Sequence, residues 1–277
     1  MSATYEGFKL IKVEKKEQIV IITLDYPGHG NALTWETNME MKEAFGRIKD
    51  DGDCRAVIWR GEGEHFSTVF PGTQIHPILK PPIHPLNGFE LAGPDITQDL
   101  QHHMSFLKTL LDVPQPMVVL IHGETTGFAL NMALNCDFVI AADDAVMNDR
   151  HAARGMCCGD GGAVVWPLLM GPIKAKQYLF MGDTITTEDA ERFGMVTAVV
   201  PRAELDDYGW QLAKRLAVMP TMALRFTKRA INRHIWHEME YTWEFADSLQ
   251  ILSCFTEDFA EFGRARRENR PPILTGR

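Results

Sequence analysis

The chain has 277 residues, of which 45% are hydrophobic and 23% charged, with a formal net charge of -9; this is the composition of a folded soluble protein and not of a disordered chain. A pI near 5.6 and a mean hydropathy of -0.15 argue against nucleic acid as the main partner, because phosphate binding needs a basic field. No run approaches 18 uncharged apolar residues and "MSATYEGFKLIKVEKKEQ" lacks the apolar core of a signal peptide, so the expectation is a cytoplasmic protein with no membrane partner.

In chain order, "QIVIITLDYP" (18–27) is β-branched and bounded by Pro27 and Gly28, which predicts a buried strand. The next segment, "TWETNMEMKEAFGRIKDD", predicts a helix with Thr34 as N-cap, Glu36 and Glu40 early and Lys49 late. "CRAVIWRG" (54–61) reads as a second strand. The proline- and glycine-rich stretch from Glu62 to about Pro94 is too long for an idle connection and reads as a functional loop. Residues 95–114 read as a helix, "MVVLIHG" as a strand, "GFALNMALNC" as a helix and "DFVIAA" as a strand. Such alternation predicts an α/β arrangement of parallel strands covered by helices.

From about Thr187 the pattern is nearly all helical. "TEDAERFG" predicts a helix closed by Gly194 and "TAVV" a last short strand, and helices are expected over 203–219, 221–235, 239–255 and 256–269. The division is a core over 1–200 and a helical region over 201–277 with no linker between them. The basic, proline-broken tail "RRENRPPILTGR" reads as a surface extension. Five cysteines, an odd number, match neither a disulfide framework nor a zinc knuckle, so reduced thiols and no metal are expected.

Two turns are candidates for holding negative charge. "EHFSTVFPG" leaves a strand with backbone N–H groups that lack ladder partners, and "HGETTGFALNMALNCD" runs from a strand through a glycine turn into a helix N-terminus. Two such donors from separate turns are what an oxyanion hole for a carbonyl requires. The third candidate is "DRHAARGMCCGDGG". His151 is of the type that takes and returns a proton near neutral pH, and Asp160 would orient it or raise its pKa if the two meet. By itself the segment favours a structural histidine beside a tight turn whose glycines allow positive φ or close backbone approach, and Cys157 and Cys158 read as small core residues. GxSxG, HExxH, P-loop and GxGxxG motifs are absent from the sequence, leaving serine-hydrolase, zinc and dinucleotide chemistry without support.

The order "NALTWETNMEM", "AVIWRGEGEHFS", "VVLIHGETTGFALNMALNCDFVIAADDAVM", "GDGGAVVWPLLMG", "AKQYLFMGDTITTEDAERFGMVTAVVP" and "FTEDFAEFGRARRENRPP" resembles the crotonase superfamily, the enoyl-CoA hydratase/isomerase fold, from about Val20 to Pro272. That resemblance implies a spiral of ββα turns, a helical C-terminal trimerisation region, and assembly as a homotrimer or dimer of trimers. It also implies an oxyanion hole for a small-molecule carbonyl substrate, with backbone donors at Phe70 and Phe128. The two acid/base glutamates of enoyl-CoA hydratases fall on Asn131 and His151, neither a carboxylate. The β-diketone hydrolase (6-oxocamphor hydrolase-like) branch is similar at His151, at Asp160 in "GDG", in the following "VVWP" and at Trp35, whereas a second histidine of that branch falls near Ala129 and its late glutamate near Gln250.

The expectation drawn from this resemblance is retro-Claisen hydrolysis of a β-diketone without a cofactor. His151 would be the base and Asp160 its orienting group, with Trp35, Phe66 and Asn131 binding substrate. An enoyl-CoA hydratase/isomerase or another enzyme transforming acyl-CoA, with the coenzyme A thioester as substrate, is the alternative. A silent binding or assembly subunit is the third.

Overall fold

Alternation of side chains along the strands decides how the sheet is covered. The structure is a computed structural model that describes residues 4–69 and 103–277. Strands β1 (Ile11–Lys16), β2 (Ile19–Leu24), β3 (Ala56–Gly61), β4 (Met117–Ile121), β6 (Phe138–Ala142) and β8 (Ala198–Val200) form one six-stranded sheet in the order β1-β2-β3-β4-β6-β8. β5 (Glu124–Thr126) and β7 (Val146–Asn148) form a small parallel sheet. Val57 and Trp59 of β3 and Val119 and Ile121 of β4 face one hydrophobic cluster, while Ala56, Ile58, Val118 and Leu120 face another. A strand buried on both faces reads as a continuous apolar run, as the sequence of β3 and β4 does.

β3 is followed by Ser67, which bridges to Thr125 of β5; β4 is followed by β5, and β6 by β7. Each turn lays one strand in the large sheet and a short strand or bridge in the small one, then returns through a helix. This is the expected spiral of ββα turns. The unexpected strand is β1, antiparallel to β2 at the sheet edge. Its Ile11 and Val13 alternate with Lys12, Glu14 and Lys16, so it reads as a polar N-terminus, although these charges lie on its exposed side while Lys15 pairs with the buried Asp51.

The helices are α1 (Trp35–Asp50), α2 (103–111), α3 (Gly127–Ala133), α4 (Gly162–Met170), α5 (Pro172–Met181), α6 (Thr187–Arg192), α7 (Leu205–Ala217), α8 (Thr221–Ser253) and α9 (Glu257–Arg267). Thr34 caps α1 as expected, its hydroxyl accepting from the Thr37 N–H at 3.2 Å. Thr34→Ala is expected to cost about 1 kcal/mol of unfolding free energy in urea denaturation. A loss below 0.3 kcal/mol, roughly the scatter of such measurements, would show that the cap contributes little.

The helices expected over 221–235 and 239–255 are one 33-residue helix, α8. No glycine or proline separates them, so nothing ends the first. α7 closes one face of the large sheet through Leu205 and Ala213. The tail does not extend outward. Glu261 accepts from the Ile273 N–H and pairs with Arg270, and Asp258 accepts from the N–H groups of Thr275 and Gly276, folding the tail back on α9. All five cysteines are free thiols, and no helix among the described residues is long and apolar enough to cross a membrane.

Candidate active site

Asp149 and His151 leave the small sheet directly after β7, so the pairing of Val146–Asn148 with Glu124–Thr126 sets their position. Asp160 lies just before α4, and Asn131 comes from α3. The structure brings all four together. His151 Nδ1 lies 2.6 Å from Asp149 Oδ1, and the His151 backbone N–H donates to the same oxygen at 3.1 Å. On the other edge of the ring, His151 Nε2 lies 3.4 Å from Asp160 Oδ2. The Asn131 amide donates to Asp149 Oδ2 at 3.1 Å and to Asp160 Oδ1 at 3.0 Å, while its own oxygen accepts from the Trp166 indole N–H at 2.8 Å.

The expected meeting of His151 and Asp160 is therefore present, together with a partner that sequence reasoning missed. Asp149 stood in the same segment, but its offset of two residues from His151 carries no signal until the turn closes. Asn131 requires correction. It is completely buried with both amide protons and its oxygen engaged, so it braces the two aspartates and does not face a substrate. Phe66 also requires correction: it is completely buried and packs on Trp59 with ring centroids 5.3 Å apart, as part of the core. Trp35 is half-buried at the first position of α1. Phe70 lies outside the described residues, as does most of the segment read as a functional loop.

Phe128 is the second residue of α3, where a backbone N–H has no intrahelical acceptor, and the preceding Thr126 supplies no side-chain cap. Beside it, a Cβ on Gly127 would stand 3.5 Å from Cε1 of His151, so the imidazole lies against this helix start. The ring of His103 of α2 lies against that of Phe128, tilted by 46° with centroids 4.6 Å apart. The "QHH" of the helical segment was its only sequence signal.

Glycines allow this crowding. Gly161 has φ +114° and faces Trp243 of α8, where a Cβ would come within 2.9 Å of the indole; a Cβ on Gly162 would come within 2.7 Å of Asp149 Oδ2. α8 also holds the loop from outside. Gln250 accepts from the Gly159 N–H at 2.7 Å and the Ser253 hydroxyl accepts from the Cys157 N–H at 3.0 Å. The residue at the place of the related branch's late glutamate thus serves as a loop clamp.

Electrostatics separates the two carboxyl groups. For Asp149, burial raises the pKa, but the charge of His151 and hydrogen bonds from His151 and Asn131 outweigh it and hold the group below its ordinary value. For Asp160, burial and the neighbouring Asp149 raise the pKa above the ordinary value, against the lowering effects of His151, His103 and Asn131. Burial alone would lower the His151 pKa and Arg154 opposes its charging, but Asp160 and Asp149 push it up to about 9. Cys158 Sγ lies with atoms of Asp149 and His151 in a group of possible donors within 4.8 Å of one another. Burial raises the thiol pKa, disfavouring the thiolate that binds metals, and hydrogen bonds already engage the Asp149 carboxylate.

Comparison with known proteins agrees with this architecture. Residues 14–274 match the family model described as enoyl-CoA hydratase/isomerase. The chain is similar to the 1,2-epoxyphenylacetyl-CoA isomerase of Escherichia coli, 26% identical with 98% of this chain and 99% of the relative covered. It is also similar to the short-chain-enoyl-CoA hydratase of Clostridium acetobutylicum, 28% identical with 89% and 90% covered. Among solved structures, a β-diketone hydrolase from the cyanobacterium Anabaena, bound to (S)-3-oxocyclohexyl acetic acid, shares the fold with a TM-score of 0.78 at 22% identity, covering 90% of this chain and 95% of that one. By its sequence and by its spiral of ββα turns, the chain belongs to the enoyl-CoA hydratase/isomerase family of the crotonase superfamily.

Proposed function

We propose that the chain transforms an acyl-CoA thioester, with His151 as the base and the start of α3 as one side of an oxyanion hole. The observation that carries this reading is the His151 imidazole held between two buried aspartates and against Gly127, one residue before the Phe128 N–H. The names of the related enzymes favour a thioester as the carbonyl compound. Phe70 would supply the second donor. In a hydration, water oxygen bonds to the β-carbon of an enoyl thioester while His151 Nε2 takes the water proton. The carbonyl oxygen carries the resulting enolate charge at the Phe128 N–H, and a proton then returns to the α-carbon.

A second reading, hydrolysis of a β-diketone, is favoured by one observation: a carboxamide locked in the protein interior stands at position 131 and an imidazole at 151, where hydration uses a carboxylate pair. There water would add to a ketone carbon, the carbon–carbon bond would break, and the departing enolate would take a proton. Neither scheme requires a cofactor. Titration calorimetry with crotonyl-CoA, alongside turnover of cyclohexane-1,3-dione, separates the two. Thioester binding without diketone turnover supports the first reading, the converse supports the second, and neither binding nor turnover with either compound would defeat both.

Assembly as a homotrimer or dimer of trimers belongs to the same proposal. Exposed apolar residues along α8, Met222, Phe226, Phe245 and Leu252 among them, are consistent with a subunit contact. Light scattering that finds a monomer at micromolar concentration would refute it.

A dependence on pH follows from the charge on the base. A base acts only when unprotonated, and the His151 pKa is pushed up to about 9. kcat/KM should therefore rise about tenfold per pH unit from pH 6 to 8 and level off above about 9. A profile already flat at pH 7 would remove His151 as the titrating base.

A further inference from the structure

We propose that Asp149 is the positioning residue that fixes the proton of His151 on Nδ1, and that Asp160 is the proton-exchange partner on the Nε2 edge. This inference rests on His151 being the base. Asp149 Oδ1 receives both the ring Nδ1 at 2.6 Å and the backbone N–H of the same residue at 3.1 Å. Those two bonds to one oxygen fix the ring against its own backbone. Asn131 adds a third donor on Oδ2 at 3.1 Å, so the geometry supplies Asp149 with the donors an anion needs. The contact of Asp160 with His151 Nε2 is longer, 3.4 Å, too long for a strong orienting bond.

The two carboxyl groups share one imidazole and one bridging amide in the interior. One carboxylate suffices to balance a single imidazolium, and a second buried charge beside it is costly. The well-donated Asp149 is the better anion, leaving Asp160 as the group that can hold a proton. During turnover an O–H bond of water breaks as its oxygen bonds to the substrate carbon, and Nε2 takes that proton. The imidazolium then passes the Nε2 proton either to the substrate carbon that completes the reaction or to Asp160 Oδ2. In the second case the O–H bond on Asp160 stores the proton and later returns it through Nε2. No outside oxidant or reductant enters, and atoms and charge balance across the cycle.

The test reads the ring directly. In protein labelled with ¹⁵N-histidine, without substrate, the His151 nitrogens report which one bears hydrogen in the neutral ring. The expected result is hydrogen on Nδ1. Asp149→Asn should lower the His151 pKa by more than one unit, mix the tautomers and lower kcat/KM about 100-fold or more. Asp160→Asn should keep hydrogen on Nδ1 while lowering kcat and leaving KM within about twofold. Hydrogen on Nε2 in the unsubstituted protein would overturn the proposal, and this measurement stands even if Asp149→Asn fails to fold. An unchanged tautomer and pKa in a folded Asp149→Asn protein would also overturn it. Because the ring is read without substrate, failure of both substrate classes would defeat the proposed function and leave this assignment to be judged separately.

Discussion

His151→Ala is expected to lower kcat/KM by about 10²- to 10⁴-fold on whichever carbonyl substrate the protein turns over, while the fold persists. The range is that of removing a positioned general base. The remaining rate would come from binding and from backbone donors, which the substitution does not touch. The His151 side chain is 16% exposed and its removal leaves a small space next to Gly127, so circular dichroism should be unchanged. The substitution also takes away the cation between Asp149 and Asp160. A modest change in unfolding free energy is therefore compatible with the prediction, and the two effects are separated by measuring both. A folded His151→Ala protein with more than a tenth of the original kcat/KM would eliminate His151 as the base.

Asn131→Ala should be the more damaging change for stability. Asn131 is completely buried, and its side chain satisfies Asp149 Oδ2, Asp160 Oδ1 and the Trp166 indole N–H. Alanine removes all three bonds at once and leaves two carboxyl oxygens and an indole donor in the interior. Each unsatisfied buried group costs about 1–3 kcal/mol; partial entry of water into the space reduces the sum, so the expected loss is about 3 kcal/mol or more by urea denaturation. A loss under 1 kcal/mol would show that water or a shift of α3 replaces the amide. The same variant should lose activity because the aspartates on either side of His151 lose their common brace.

Some of the site was legible before any fold was known. His151 and Asp160 are residue types suited to proton transfer, and they stand near a glycine run of the kind that forms tight turns and admits close neighbours. The start of α3 was legible because a strand, a glycine and an apolar helix follow one another in "IHGETTGFALNMA". Asp149 and His103 were not legible, and Gln250 was legible only as a position, not as the acceptor that holds the Gly159 N–H. Each is an ordinary polar residue in its own segment, and each acquires its role from a neighbour far away in the chain or folded back in a turn. Asn131 and Phe66 differ from the expectation for a related reason: a family resemblance puts a position near a site without saying whether the side chain now standing there points into the pocket or into the core.

What the sequence by itself determined is the five parallel strands of the large sheet, helices such as α1, α3, α6, α7 and α9, and the family, whereas β1, the small sheet, α4, α5 and the continuity of α8 came from the structure. Continuous apolar runs specify strands buried on two faces, Thr34 and the acidic first turn start α1, and the ordered motifs identify the crotonase superfamily. These signals are local, arising from the periodicity of the backbone and the satisfaction of helix ends, or they persist in order along the chain. Only the tertiary structure decided that two aspartates flank one histidine. β7 places Asp149, the start of α4 places Asp160, α3 inserts Asn131 between them, and α8 clamps the loop through Gln250 and Ser253. Buried charge is the reason this information is tertiary. Which carboxyl group ionises depends on the donors and charges that surround it in space, and those arrive from four separate elements.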